Sequence, residues 1–159
     1  MKDINPFKIF DEDWAIVTAG DLKNHNSMTV SWGGMGTLWS KSVVTVYVKP
    51  CRYTYNFMEN NDFFVVSFYD EKYRNALKIM GSTSGRNCDK DKTANLTPCS
   101  HNGVTLYKEA KLSIICKKIY FSDFDITNIP QEAKQRYYQT EAPHRMYIGE
   151  VSEMIENKQ

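Results

Sequence analysis

The chain has 159 residues, of which 42% are hydrophobic, 25% charged and 13% aromatic. That is the composition of one folded domain, residues 1–159, large enough to hold a core without a disulfide or metal staple and too apolar for disorder over most of its length. Lys+Arg 20 against Asp+Glu 19 leaves a net charge of +1; a general nucleic-acid binder carries a clear basic excess, whereas a small phosphorylated ligand needs only one local cationic pocket.

In chain order, Trp14–Ala15–Ile16–Val17–Thr18–Ala19 reads as a first strand, and Asp21 to Asn26 is turn-rich. Ser27 to Trp32 reads as a second strand, broken by Gly33–Gly34. Val43–Val44–Thr45–Val46–Tyr47–Val48 is the clearest strand, dense in β-branched residues and ended by Pro50. A short helix is expected over Thr54–Glu59, capped by Thr54, and then a fourth strand over Phe63–Tyr69. Asp70 is expected to cap a second helix, Glu71 to Met80, with Ala76, Leu77, Ile79 and Met80 as its apolar face and Gly81 as its stop. A fifth strand runs from about Ala110 to Tyr120, a third helix follows Pro130 over Gln131–Tyr138, and Arg145–Val151 is a sixth strand. Six strands with short helices between them suggest a mainly β, antiparallel barrel with helical insertions. The spacings are too irregular for repeated βαβ units.

Cys51, Cys88, Cys99 and Cys116 contain no C-x-x-C pair, and His25, His101 and His144 lack metal-ligand spacing, so no metal site is expected. Met1 to Pro6 opens polar, soon followed by Asp11–Glu12–Asp13, which does not read as a secretory leader. No apolar run approaches the roughly 20 residues of a membrane helix. Together these features lead to the expectation of a cytoplasmic protein with four reduced thiols, no membrane contact and no nucleic-acid partner.

Three stretches have residue types suited to a ligand. On a strand, Ser27, Thr29 and Ser31 share one face and Met28, Val30 and Trp32 the other. The hydroxyl row fits either a ligand or the solvent face of an edge strand, and the Gly33–Gly34–Met35–Gly36 that follows allows close backbone approach. In Lys49–Pro50–Cys51–Arg52–Tyr53–Thr54, a strand end meets a helix start, so that free N–H groups, an Arg and a Thr hydroxyl suit an anion, phosphate above all; a capped helix with an exposed Arg is the alternative. Gly81–Ser82–Thr83–Ser84–Gly85–Arg86 is a small-residue loop running into Asn87–Cys88–Asp89–Lys90–Asp91–Lys92, either a phosphate wrap or a set of solvated loop charges. Neither the Walker nor the dinucleotide glycine motif is present.

Taken in order, Asn26–Gly34, Lys49–Thr54, Gly81–Arg86 with Asp89–Lys90, and His144 ahead of Tyr147–Ile148–Gly149–Glu150–Val151 resemble the flavin reductase family, most closely its flavoredoxin-type members. The resemblance implies an antiparallel, Greek-key FMN-binding split β-barrel with short α-helices, usually a homodimer, holding FMN noncovalently near the subunit interface. It also implies that Ser27, Met28, Thr29, Ser31 and Trp32 line the flavin and its ribityl chain. Arg52, Tyr53 and Thr54 would hold the phosphate, Ser82, Ser84, Gly85 and Arg86 would close over the cofactor, and Lys92 would add to it. His144 would stand near the flavin as the candidate catalytic residue. The activity implied is an NAD(P)H-dependent flavin reductase that passes electrons to flavin or to a redox protein partner; a flavoredoxin-like carrier and a non-catalytic FMN-binding module are the rivals. Asn87 stands where many relatives have an acidic residue, and Thr97–Gly103 says nothing about substrate.

Overall fold

A computed structural model describes residues 5–157; Met1–Ile4, whose polar character entered the reading of the leader, lies outside the described residues. The chain opens with a helix, α1 (Pro6–Asp11), that sequence reading passed over. Its start carries a recognisable signal: the Asn5 side chain accepts from the Phe7 and Lys8 N–H groups, with Pro6 at the first helical position.

Strands β1 (Ala15–Asp21) and β2 (Asn24–Val30) form a hairpin, and β3 (Gly33–Leu38) and β4 (Lys41–Val48) a second one. Gly33–Gly34 therefore opens a strand as well as ending one. Helix α2 (Tyr53–Asn60), β5 (Phe63–Phe68), a 3-10 turn (Glu71–Tyr73), α3 (Arg74–Ser82) and α4 (Lys90–Ala94) follow. Next come a small hairpin of β6 (Pro98–His101) and β7 (Val104–Tyr107), the long β8 (Leu112–Asp123), a 3-10 turn (Ile126–Asn128), α5 (Gln131–Tyr137) and the long β9 (Arg145–Glu156).

Seven strands make one antiparallel sheet in the order β2-β1-β5-β8-β9-β4-β3; β6 and β7 pair separately. The architecture is mainly β and antiparallel with short helices, as expected, but the sheet is not closed into a barrel: β2 and β3 remain its two edges. Strand β1 explains why its sequence is apolar nearly throughout. Val17 and Ala19 enter the main core with Phe64, Val66, Val46 and Tyr147, while Ile16 faces the second cluster with Leu77, Met80 and Tyr107. Buried on both faces, it loses the alternation of a half-exposed strand.

Several local expectations are corrected. The N-cap of α2 is Arg52, not Thr54; Thr54 is buried, and its hydroxyl oxygen accepts from Asn26 Nδ2 at 2.8 Å. Asp70 makes no side-chain cap, and the predicted single helix is a 3-10 turn followed by α3. Gly81 does not stop α3, which runs through Ser82 and closes with the Thr83 N–H on the Ile79 carbonyl. The charged stretch after Asn87 is helical, because the Asp89 side chain accepts the Lys92 N–H and starts α4. Thr97–Gly103 contains β6 and a tight turn, with Asn102 at φ 48 and Gly103 at φ 85. Both residues then sit in the left-handed region that a two-residue hairpin loop requires.

Candidate functional site

The site forms where β2, the β4–α2 corner and the α3–α4 loop meet. Edge strand β2 supplies one wall. As read from sequence, its residues alternate, but the hydroxyl face is not solvent-exposed: Ser27 is enclosed in the protein, and Thr29 reaches a cavity edge with its hydroxyl proton already used. Ser27 Oγ lies 2.8 Å from both Thr18 Oγ1 and Tyr107 Oη, and Thr29 Oγ1 donates to the Leu77 carbonyl at 2.5 Å. Burying a hydroxyl demands such partners: β1 and β7 provide them for Ser27, and α3 provides one for Thr29.

Two neighbouring cavities open beside this wall. The first, about 290 Å³, is lined by Met28, Thr29, Val30, Ser31, Trp32, Tyr47, Lys49, Arg52, Tyr137, Glu141 and His144. The second, about 260 Å³, is lined by Asn26, Met28, Arg52, Tyr53, Thr54, residues 82–86 and Lys90, with Cys51 and Glu141 at its edge. Met28, Arg52 and Glu141 line both, so the two join end to end.

The second cavity has the chemistry of an anion site. Arg52 Nη2 donates to the Gly81 carbonyl at 2.6 Å, which ties the start of α2 to the end of α3. Arg86 lies 4.9 Å above the Tyr53 ring, with Nη1 on the Cys51 carbonyl at 3.3 Å. Lys90, only 6% exposed, donates from Nζ to the carbonyls of Ser27 at 2.7 Å and Met80 at 2.6 Å. Burial and then the Arg52 charge push the Lys90 pKa down to about 8. Among the described residues none of these three cations has a carboxylate partner, whereas Lys49, Arg74, Lys92 and Arg145 all do. Three uncompensated cations facing one space favour an anion.

The hydroxyls there divide. Ser82 Oγ donates back to the Lys78 carbonyl and Thr83 Oγ1 to that of Ile79. Ser84 Oγ instead accepts the Arg86 N–H at 3.3 Å, which leaves its proton for a ligand. Gly85 is required by packing, since a Cβ there would lie 2.1 Å from Asn26 Oδ1 and 3.0 Å from the Tyr53 ring. The donor set of two guanidiniums, an ammonium, a serine hydroxyl and the first amides of α2, whose N-cap makes no side-chain bond, fits a phosphate dianion.

The first cavity is aromatic. Trp32, 39% exposed, meets Tyr137 edge-on with centroids 5.0 Å apart and His144 at 5.3 Å. Tyr138 Oη lies 2.8 Å from His144 Nδ1. Burial, and then the Lys49 charge, lower the His144 pKa to about 4, so the imidazole is neutral at neutral pH. The Tyr138 phenol keeps its proton, because burial raises its pKa, and its oxygen takes a backbone hydrogen bond from His144. That directs the phenol proton to Nδ1 and assigns the other ring proton to Nε2. His144 thus offers the cavity a hydrogen-bond donor. Across the mouth, Glu141 accepts from Lys49 Nζ at 2.7 Å and from Cys51 Sγ at 3.5 Å.

Of the residues singled out in the sequence, Met28, Thr29, Ser31, Trp32, Arg52 and His144 line the first cavity, and Tyr53, Thr54, Ser82, Ser84, Gly85 and Arg86 line the second. Ser27 and Lys92 are not in either lining. The Ser27 hydroxyl is enclosed in protein bonds, and Lys92 is exposed and paired with Asp89 at 3.2 Å. Lys90, two positions earlier, occupies the interior place instead. Asn26 and Lys49 join from stretches already singled out in the sequence, though without a role there, and Tyr47, Tyr137 and Glu141 join from outside them. Asn87 uses its N–H on the Ser84 carbonyl at 3.0 Å, a loop-closing bond that needs no acidic side chain.

Among the described residues, no helix is long and apolar enough to cross a membrane, and no cluster of His, Cys, Asp and Glu forms a metal site. Comparison with solved structures gives the same architecture repeatedly. Flavoredoxin from Methanosarcina acetivorans is 17% identical with a TM-score of 0.73, covering 100% of this chain and 76% of that one. An FMN-binding protein from Thermus thermophilus, with bound p-hydroxybenzaldehyde, is 19% identical with a TM-score of 0.72, covering 91% and 71%. An NADH:FAD oxidoreductase of Streptomyces globisporus is 16% identical with a TM-score of 0.71, covering 95% and 79%. At these identities the likeness shows the fold alone. No curated protein matches the chain. The model of the flavin reductase like domain matches residues 8–159, nearly the whole sequence, and the chain belongs to that family.

Proposed function

We propose that this protein is an FMN-binding oxidoreductase, reduced by NADH or NADPH and passing electrons to free flavin or to a redox protein. The observation that carries the reading is the pair of joined cavities, one holding three uncompensated cations and the other lined by Trp32, Tyr47, Tyr137 and His144. FMN has the matching form, a dianionic phosphate at one end and a planar ring at the other. In this reading Arg52, Arg86, Lys90, the Ser84 hydroxyl and the amides of α2 hold the phosphate. Met28 would hold the ribityl chain, and Thr29, Ser31 and Trp32 would hold the ring.

Bound FMN supplies the hydride and electron transfer chemistry; the chain's own task is to bind, orient and shield it. Trp32 and Tyr137 limit water access to the ring side. His144 Nε2–H donates to whatever acceptor is brought to it, with Tyr138 fixing the imidazole in that state. A neutral histidine with a pKa near 4 acts as a positioning donor and not as a proton shuttle at neutral pH. Trp39, Phe63, Tyr120 and Phe121 remain exposed, which supports assembly as a homodimer. The absence of a membrane-crossing helix among the described residues is compatible with a cytoplasmic location.

Anaerobic stopped-flow mixing of the FMN-loaded protein with NADH or NADPH tests the reading. Rapid bleaching of the flavin bands, slowed but not abolished in His144→Ala at unchanged FMN affinity, is expected. FMN bound but bleached by neither nucleotide would favour the flavoredoxin-like carrier or a non-catalytic module. A protein that neither contains nor takes up FMN would overturn the reading altogether.

A further inference from the structure

A larger groove adjoins the aromatic cavity. It spans about 740 Å³ between α5, the end of β8 and β4, within the range of small-molecule sites. Trp32, Tyr47 and Tyr137 form a wall common to this groove and the first cavity. Phe124, Ile129, Pro130, Ala133 and Tyr138 complete its apolar lining. Tyr47 and Phe124 stand 5.5 Å apart at an interplanar angle of 59°. These two rings already pack against each other, so a flat ligand ring would lie edge-on or offset against their free faces.

The charges at its rim decide what kind of ring. No lysine, arginine or histidine lines the groove, but two carboxylates do. Asp123 accepts from Arg145 Nε at 2.7 Å and Nη2 at 2.8 Å, and Asp125 accepts from the Thr127 N–H at 2.8 Å and its hydroxyl at 2.6 Å. Both have pKa values below the usual carboxylate range, for Asp123 because of the Arg145 bond and for Asp125 because of the Thr127 bonds. Both are therefore ionised at neutral pH, and their acceptor capacity is largely used. Arg145 offsets the Asp123 charge, so among the described residues the rim keeps one carboxylate without an ion pair, Asp125, and the lining has no cation to hold a phosphate, sulfonate or carboxylate. A pyridine dinucleotide, with its pyrophosphate, does not suit it.

We infer that this groove is a second binding site, for an uncharged planar aromatic compound, distinct from the anionic ligand of the cationic cavity. That such a compound is a second substrate of the oxidoreductase rests on the function proposed above; the binding itself does not.

The test uses 2-naphthol and naphthalene-2-sulfonate, the same ring with and without a negative charge, in equilibrium dialysis against the full-length protein with and without FMN. Saturable one-to-one binding of 2-naphthol, and sulfonate binding weaker by about tenfold or more, are expected. Ala133→Trp, on the groove wall in α5, is expected to weaken 2-naphthol by a similar factor while FMN affinity is kept. Asn128→Lys, an exposed change that adds a cation at the rim, is expected to strengthen sulfonate binding, and it provides the reading if Ala133→Trp does not fold. Equal binding of the two probes, or an Ala133→Trp protein that folds and binds 2-naphthol as the parent does, would overturn the site. So would an Ala133→Trp protein that turns a dimer into a monomer in sedimentation while the parent dimer takes up no 2-naphthol, since the groove would then lie between copies. Failure to bind FMN with the naphthol results intact would sink the proposed function and leave the groove standing.

Discussion

Lys90 is the residue whose replacement tests the cationic cavity most directly. Its ammonium is buried, bonded only to carbonyl oxygens, and close enough to Arg52 to feel its charge. The fall from 10.5 to about 8, at about 1.4 kcal/mol for each pH unit, amounts to roughly 3 kcal/mol by which the fold disfavours the charged form. Below pH 8 folded and unfolded chains both carry the proton, and the fold bears the whole cost. Between pH 8 and 10.5 the folded chain releases the proton while the unfolded chain keeps it, so stability rises with pH. From pH 8 to 9.5 the gain from this group is about 2 kcal/mol, which moves a urea midpoint by about 1 M at the usual slope of 1–3 kcal/mol per M. Lys90→Met keeps the stem and removes the titration. Urea unfolding of the flavin-free protein at the two pH values is therefore expected to show this gain in the parent and to lack it in the variant. Any other titration is common to both proteins and cancels in the difference. Equal gains would refute the argument, because Lys90 would then be solvated and outside the pocket.

Three further outcomes follow from the same geometry. Arg52→Ala is expected to weaken FMN by about ten- to a hundredfold and riboflavin far less, since a charged hydrogen bond is worth roughly 1.5–3 kcal/mol; fluorescence titration with both ligands checks this, and equal losses would make Arg52 merely structural. Gly85→Ala drives a Cβ to 2.1 Å from Asn26 Oδ1, and because Asn26 is tied to Thr54, overpacking of about 1–3 kcal/mol is expected as a lower melting temperature. Tyr138→Phe removes the phenol proton aimed at His144 Nδ1; 15N NMR of the imidazole is expected to pass from one tautomer to a mixture, and an unchanged spectrum would remove Tyr138 from its positioning role.

The fold was legible where one local force dominates. The cores of β1, β4 and β5 declare themselves through apolar, β-branched runs, because β1 and β5 are buried on both faces and β4 buries Val44, Val46 and Val48 on one. Other features had a signal that was passed over. Asn5–Pro6 is a helix start, and Asn102–Gly103 is a hairpin turn whose two residues both take positive φ. The β3–β4 turn had no such signal. Trp39 and Ser40 also take positive φ, 52 and 59, although neither type prefers it, so here the pairing of the two strands overrides local preference. The site divides in the same way. Arg52, Tyr53, Gly85 and Arg86 lie in segments whose residue types already suit an anion. Lys90 and Lys92 look alike in a string of charges, and only the helix separates them. Residues two apart on α4 lie on opposite faces, so Lys90 turns inward to the Ser27 and Met80 carbonyls while Lys92 meets Asp89 in solvent. Glu141 and Tyr137 come from the far end of the chain, and no local pattern links them to β2.

The arrangement of charge along the cleft fixes which way a two-ended ligand lies. At one end stand Arg52, Arg86 and Lys90 without carboxylates; in the middle Lys49 is neutralised by Glu141; at the other end Asp123 and Asp125 border an aromatic groove with no cation. Two unit charges about 4 Å apart interact by about 4 kcal/mol at the effective dielectric of a protein surface. A dianion in the first position gains several such attractions. Turned end for end within the two joined cavities, the same ligand would set its phosphate beside Lys49, whose charge Glu141 already offsets, and its ring over two guanidiniums and an ammonium. The orientation is therefore decided by a large electrostatic difference before any contact to the ring is counted. In the function proposed above, what remains for Trp32, Tyr137 and the Tyr138–His144 pair is the finer task of placing the ring within a cavity whose direction the charges set.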